Sequence, residues 1–174
     1  LEDPNGDGDT SDSVAANTLI VFQSDNGGPG GSSCKEFDAN GGLRGNKGSI
    51  YEGGIRVPTI MRLPSALAGG TKLKVGTTSD MVIDVSDLLP TFCELAGATP
   101  PLGVDGVSLA PTLTGIGQQR KRDYLIHEAG GNASIIRGRY KLIISRGGKR
   151  KKTRKTKEAK ETSTGSGARL YDLV

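Results

Sequence analysis

The sequence predicts an α/β fold that ends in a small antiparallel β region, and three observations carry that reading. Thr18-Leu19-Ile20-Val21-Phe22 is a continuous apolar, β-rich run, the pattern of a strand buried on both faces. Residues 86–96 repeat apolar side chains at helical spacing. Beyond about residue 120 the pattern turns to short β-rich runs separated by glycine-bearing turns.

Each element follows from local chemistry. Residues 1–16 are rich in Asp, Gly, Asn and Ser with almost nothing apolar, and read as a disordered or surface lead-in. Asp3, Asp7 and Asp9 are spaced as in a calcium loop, but that pattern also needs a Glu near Ser13 or Val14, so the surface reading is preferred. The first strand stops abruptly at Ser24-Asp25-Asn26-Gly27-Gly28. From Gly27 to Gly54 the chain is glycine-studded and poor in apolar residues, too long for an ordinary connection, which marks a functional loop. Residues 57–63 form a second strand candidate, with Pro58 at its entrance where a missing donor is tolerated.

In the helix over 86–96, Leu88, Phe92, Leu95 and Ala96 share one face. Ser86 or Asp87 is placed to cap its start, Pro90 lies in the first turn and Gly97 stops it. Residues 133–136 and 140–144 flank Arg137-Gly138-Arg139 as a hairpin, and Leu170-Tyr171-Asp172-Leu173 returns as another strand. The chain therefore divides into a lead-in at 1–16, a main α/β part at 17–118 and an antiparallel part at 119–174. The last carries a basic, disordered insert at 147–168.

Composition excludes several classes. The 27 glycines follow no three-residue period, which rules out collagen, and no apolar run nears the roughly 20 residues of a membrane span. Two cysteines, Cys34 and Cys93, make no disulfide framework. Eight of the 23 basic residues lie between Lys149 and Lys160, with Glu158 and Glu161 among the 19 acidic ones. Elsewhere 15 positives meet 17 negatives, a net of −2. The basic balance thus belongs to one segment, not to a folded face with interleaved aromatics, and no dedicated nucleic-acid binding is expected. Both ends of the chain read as cut, since no charged and apolar leader opens it and it stops directly after a strand-like segment.

Asp25 and Asn26 follow a buried strand, where open α/β sheets place ligand sites. One carboxylate beside one amide carbonyl supplies hard oxygen donors suited to Ca²⁺ or Mg²⁺, and Gly27 and Gly28 would let backbone approach the ion. The same four residues are good turn formers, so a plain turn competes with the metal reading. Lys47, beside Gly45 and Gly48, presents a compact positive charge suited to a tetrahedral oxyanion, although no P-loop pattern surrounds it. Glu52 and Arg56, four residues apart, are expected to pair with each other. His127, the lone histidine, reads as a structural residue at a strand end or as a peripheral substrate contact.

Taken together, these segments resemble the carboxy-terminal half of a sulfatase. The likeness rests on Ser24-Asp25-Asn26-Gly27-Gly28 and on Leu43-Arg44-Gly45-x-Lys47-Gly48, followed by Glu52-Gly53-Gly54-Ile55-Arg56-Val57-Pro58. It continues through Asp84-x-x-Asp87-Leu88-Leu89-Pro90-Thr91, Asp105-Gly106-x-Ser108-Leu109, Arg137-Gly138-x-Tyr140-Lys141-Leu142-Ile143 and Leu170-Tyr171-Asp172-Leu173. The resemblance implies an alkaline-phosphatase-like α/β fold, a mixed sheet between helices followed by a small antiparallel subdomain. It implies hydrolysis of a sulfate ester, on a sulfated small molecule or glycan, with formylglycine and a divalent cation, Ca²⁺ ahead of Mg²⁺. It assigns the metal to Asp25 and Asn26 and the substrate sulfate to Lys47, with His127 as a peripheral contact. An extracytoplasmic setting (periplasm, lysosome or cell exterior) is also implied.

One departure stands out. The formylglycine precursor, Cys or Ser followed by x-Pro/Ala-x-Arg, does not occur: Cys34 precedes Lys35-Glu36-Phe37-Asp38 and Cys93 precedes Glu94-Leu95-Ala96-Gly97. The chain is expected to hold half a metal site, one sulfate contact and no nucleophile, and to be inactive alone. Competing readings are a phosphodiesterase or phosphonate esterase of the same superfamily, and a non-catalytic polyanion binder using residues 149–160.

Overall fold

Residues 1–31, 36–64, 76–145 and 167–173 are described by a computed structural model. Among them the elements run β1 (Ile20–Gln23), α1 (Glu52–Ile55), β2 (Thr59–Arg62), α2 (Leu88–Leu95), α3 (Ala110–Thr114), β3 (Leu125–Ala129), β4 (Asn132–Arg137), β5 (Tyr140–Ser145) and β6 (Ala168–Asp172). Short 3-10 turns lie at Ala15–Asn17 and Val85–Asp87. The chain divides into two compact units that alternate along the sequence: Leu1–Gln23 with Thr59–Arg122, and Ser24–Pro58 with Asp123–Val174.

In the first unit β1 pairs antiparallel with β2, Val21 opposite Met61 and Phe22 opposite Ile60. The expectation of a strand buried on both faces is corrected. Phe22 and Ile60 are 61% and 63% exposed, because a two-stranded ribbon is covered on one side only among the described residues. Its other side meets α2 across an open groove of about 500 Å³ lined by Leu19, Val21, Phe92 and Leu95.

The start of α2 matches the sequence expectation in part. Asp87 holds the N-cap position of α2, as one of the two expected residues, but makes no side-chain cap bond to it. The capping box belongs to the preceding 3-10 turn, where the Asp84 carboxylate accepts from the Ser86 amide at 3.0 Å and the Asp87 carboxylate accepts from the Asp84 amide at 2.8 Å. Asp87 is buried and also accepts from the Val107 amide at 2.7 Å and pairs with Arg122. One turn on, the Thr91 hydroxyl donates to the Asp87 carbonyl at 2.5 Å and accepts from the Leu109 amide at 2.8 Å. Polar residues thus tie α2 to the 107–109 segment. Its apolar face is left lining the groove, and Phe92 is an exposed residue.

Residues 1–14 form an exposed loop in which the Asp3 carboxylate accepts the amides of Gly6, Asp7 and Gly8, and the Val14 amide closes onto the Leu1 carbonyl at 3.0 Å.

The second unit is a four-stranded antiparallel sheet in the order β3-β4-β5-β6, together with the 24–58 segment. Ala129 faces Asn132 across Gly130-Gly131, both at positive φ (57° and 78°), the combination a type I′ hairpin requires. Arg137 faces Tyr140 across Gly138-Arg139, which confirms the turn expected there. Leu125, Ser134, Ile136, Lys141 and Ile143 are buried. The basic insert expected at 147–168 lies outside the described residues as far as 166; Ala168 already belongs to β6, which pairs with β5.

Candidate functional site

The 24–58 segment is folded back on itself by backbone hydrogen bonds. The Gly27 amide donates to the Gly54 carbonyl at 2.9 Å, the Gly53 amide to the Arg44 carbonyl at 2.8 Å, and the Lys47 amide to the Gly28 carbonyl at 2.9 Å. The Asn40 side chain bridges the Gly28 amide (2.7 Å) and the Gly45 carbonyl (3.1 Å). Glycine is required by proximity here. A Cβ on Gly27 would clash with the Gly53 carbonyl, and one on Gly53 would fall among the carbonyls of Leu43, Arg44 and Gly45. The glycine-studded loop is therefore a compact knot rather than an open connection.

This knot brings two of the sequence-predicted elements together. Asp25 and Asn26 immediately precede Gly27, and the Lys47 backbone is bonded to Gly28. Asp25 and Lys47 are exposed, and neither side chain has a hydrogen-bond or ion-pair partner among the described residues. The Asn26 Nδ2 donates to the Gly27 carbonyl at 3.0 Å, which leaves its Oδ1 as an oxygen donor. Asp25 and Asn26 thus fit a hard cation as part of a ligand set. Among the described residues no group of three or more His, Cys, Asp and Glu is arranged to hold a metal.

His127 is a different case. It lies in the middle of β3 opposite Ser134, half-buried, and no described contact joins it to residues 25–28 or to Lys47. The pairing expected between Glu52 and Arg56 is also corrected. Glu52 Oε1 accepts from Lys141 Nζ at 2.7 Å, and Arg56 has no ion-pair partner among the described residues.

Two contributors escaped the sequence reading. Lys141 is 2% exposed on the buried face of β5. Tyr171 on β6 stacks edge-on against Tyr51, with ring centroids 6.1 Å apart, and the Arg44 guanidinium lies 4.1 Å over the Tyr51 ring. The Tyr51 hydroxyl, followed by Arg169 and Arg44, holds the Tyr171 phenol below its ordinary value. In the sequence Lys141 and Tyr171 both stand within motifs already quoted, and Lys141 is a cation two residues before Ile143 in an alternating strand, but nothing local shows the partner of either.

The family model described as Sulfatase matches residues 10–98. A sulfatase of Formosa agariphila is 43% identical over 117 residues, covering 65% of this chain and 19% of the relative. The steryl-sulfatase of Rattus norvegicus is 34% identical over 131 residues, covering 71% and 21%. The chain thus spans about a fifth of the length of these relatives. Among solved structures, one in complex with its substrate D-glucosamine-2-N,6-O-disulfate aligns with a TM-score of 0.61 at 24% identity, over 91% of this chain and 28% of that one.

Proposed function

We propose, because this chain belongs to the sulfatase family, that the whole protein hydrolyses sulfate esters and that Asp25, Asn26 and Lys47 serve that reaction. The observation that carries the proposal is the Lys47–Gly28 backbone bond, which ties an exposed lysine without a side-chain partner among the described residues to the loop that holds the Asp25 and Asn26 oxygens. A sulfated carbohydrate is the substrate class we favour, the class to which the ligand of the structural neighbour belongs. An extracytoplasmic setting is part of the same reading.

Lys47 would meet a sulfate oxygen as a compact ammonium, strongest when negative charge builds on that group. Asp25 and Asn26 would hold a divalent cation, Ca²⁺ by donor chemistry, which when bound polarises a sulfate oxygen as a Lewis acid. Gly27 and Gly53 keep these groups in register by admitting no side chain between their backbones. His127 is retained as a peripheral contact only. No residue of this chain is assigned as the nucleophile, because the formylglycine precursor pattern is absent from it.

Turnover of a chromogenic aryl sulfate by the whole protein in Ca²⁺ tests the proposal. Lys47→Ala is expected to lower kcat by roughly 10²–10³, the usual loss on removing one preorganised charge partner. Unchanged turnover, or faster cleavage of the aryl phosphate or phosphonate diester, would overturn it.

A further inference from the structure

Lys141 and Tyr171 face each other directly across β5 and β6. Their partners are consecutive in the sequence: Tyr171 packs against Tyr51, and Lys141 bonds to Glu52. One cross-strand pair therefore grips one dipeptide at the start of α1. Arg44 adds a third contact, lying over the Tyr51 ring with its Nη1 3.4 Å from the Tyr171 hydroxyl.

The grip has consequences beyond the dipeptide. Glu52 opens α1, whose next two residues, Gly53 and Gly54, bond to Arg44 and Gly27. A short relay runs from the Lys141 ammonium through Glu52 to the Gly54 carbonyl, on to the Gly27 amide, and from the Gly28 carbonyl to the Lys47 amide. Lysine is rarely buried unless paired, and alternation along β5 would put an apolar side chain at position 141. The sheet devotes a core position to a cation whose one described partner lies in the loop.

We infer that Lys141, with Tyr171 beside it, is a positioning residue that fixes the Asp25–Lys47 loop from the antiparallel sheet. This rests on the proposed role of that loop. It goes beyond that role by making the sheet part of the anion site's geometry rather than a separate appendage. Lys141 touches no reacting group; it acts through Glu52.

Amide hydrogen exchange on the whole protein tests this with Lys141→Met, Glu52→Gln and the double variant. Gly27 and Lys47 amides are expected to exchange about tenfold faster or more in each single variant, with no further increase in the double. Amides of the β3–β4 hairpin should keep wild-type rates. A merely structural role would speed both sets together, and that result, like unchanged rates at Gly27 and Lys47, overturns the inference. Should Lys141→Met fail to fold, Glu52→Gln and Tyr171→Leu are read by the same criterion. Exchange reports the latch whether or not the protein cleaves sulfate esters. A negative aryl sulfate assay with a positive exchange result would therefore reject the function and keep the latch.

Discussion

Asp87 shows how much a single buried carboxylate can organise. It is 1% exposed, closes the capping box with Asp84, accepts the Val107 amide and pairs with Arg122. Asp87→Ala would leave a largely buried guanidinium and a buried amide unpaired, so a loss of about 3–5 kcal/mol is expected. The shift in urea midpoint measures it, and a loss under about 1 kcal/mol would mean that the pair is dispensable. At this scale the sequence is informative where a residue's neighbours are local in the chain. Asp25, Asn26 and Lys47 sit in short motifs and could be nominated as site candidates from them, whereas Asp87 was read only as a helix cap. Its main partners are Val107 and Arg122, 20 and 35 residues away, and such pairings leave no local pattern. Lys141 was hidden for the same reason, its partner lying 89 residues upstream.

Among the elements, β6 carries the clearest titration. The Tyr171 phenol is held below 10 first by the Tyr51 hydroxyl and then by Arg169 and Arg44. A depressed folded-state value means that this group's contribution to stability is fully present above its unfolded value. The contribution is lost as pH falls through the lower folded one. Absorbance titration should find one of the four tyrosines ionising early, and Tyr51→Phe should move it upward. An unmoved transition would remove Tyr51 as the cause. Other elements were legible to different degrees. The Gly138 hairpin and the returning strand were readable because turn residues and alternation agree. β3 was read only as a strand ending at His127, and its Gly130-Gly131 turn was passed over, although paired glycines between β-rich runs are a strong I′ signal. α3 is a five-residue helix, too short for periodicity, marked only by Pro111 at its start and Gly115 (φ 69°) at its end.

On the scale of the whole molecule, charge and topology pull in different directions. The excess positive charge resides in residues 149–161 while the remainder carries a net of −2. Retention on heparin should therefore fall steeply with salt and disappear when residues 149–160 are deleted, leaving aryl sulfate turnover unchanged. Retention that survives the deletion would place the polyanion contact elsewhere. Topology, in turn, joins Ser24–Pro58 to Asp123–Val174, with the other unit's Thr59–Arg122 lying between them in sequence. That arrangement sets a schedule for the nascent chain. At roughly 5–20 residues per second, the ribosome needs on the order of 4–18 s to travel the 89 residues from Glu52 to Lys141. Throughout that interval the Asp25–Lys47 loop has emerged without the lysine to which its Glu52 bonds. The loop is translated early and anchored late, and a ribosome stalled before β5 would release a loop held only by its own backbone hydrogen bonds and by Asn40.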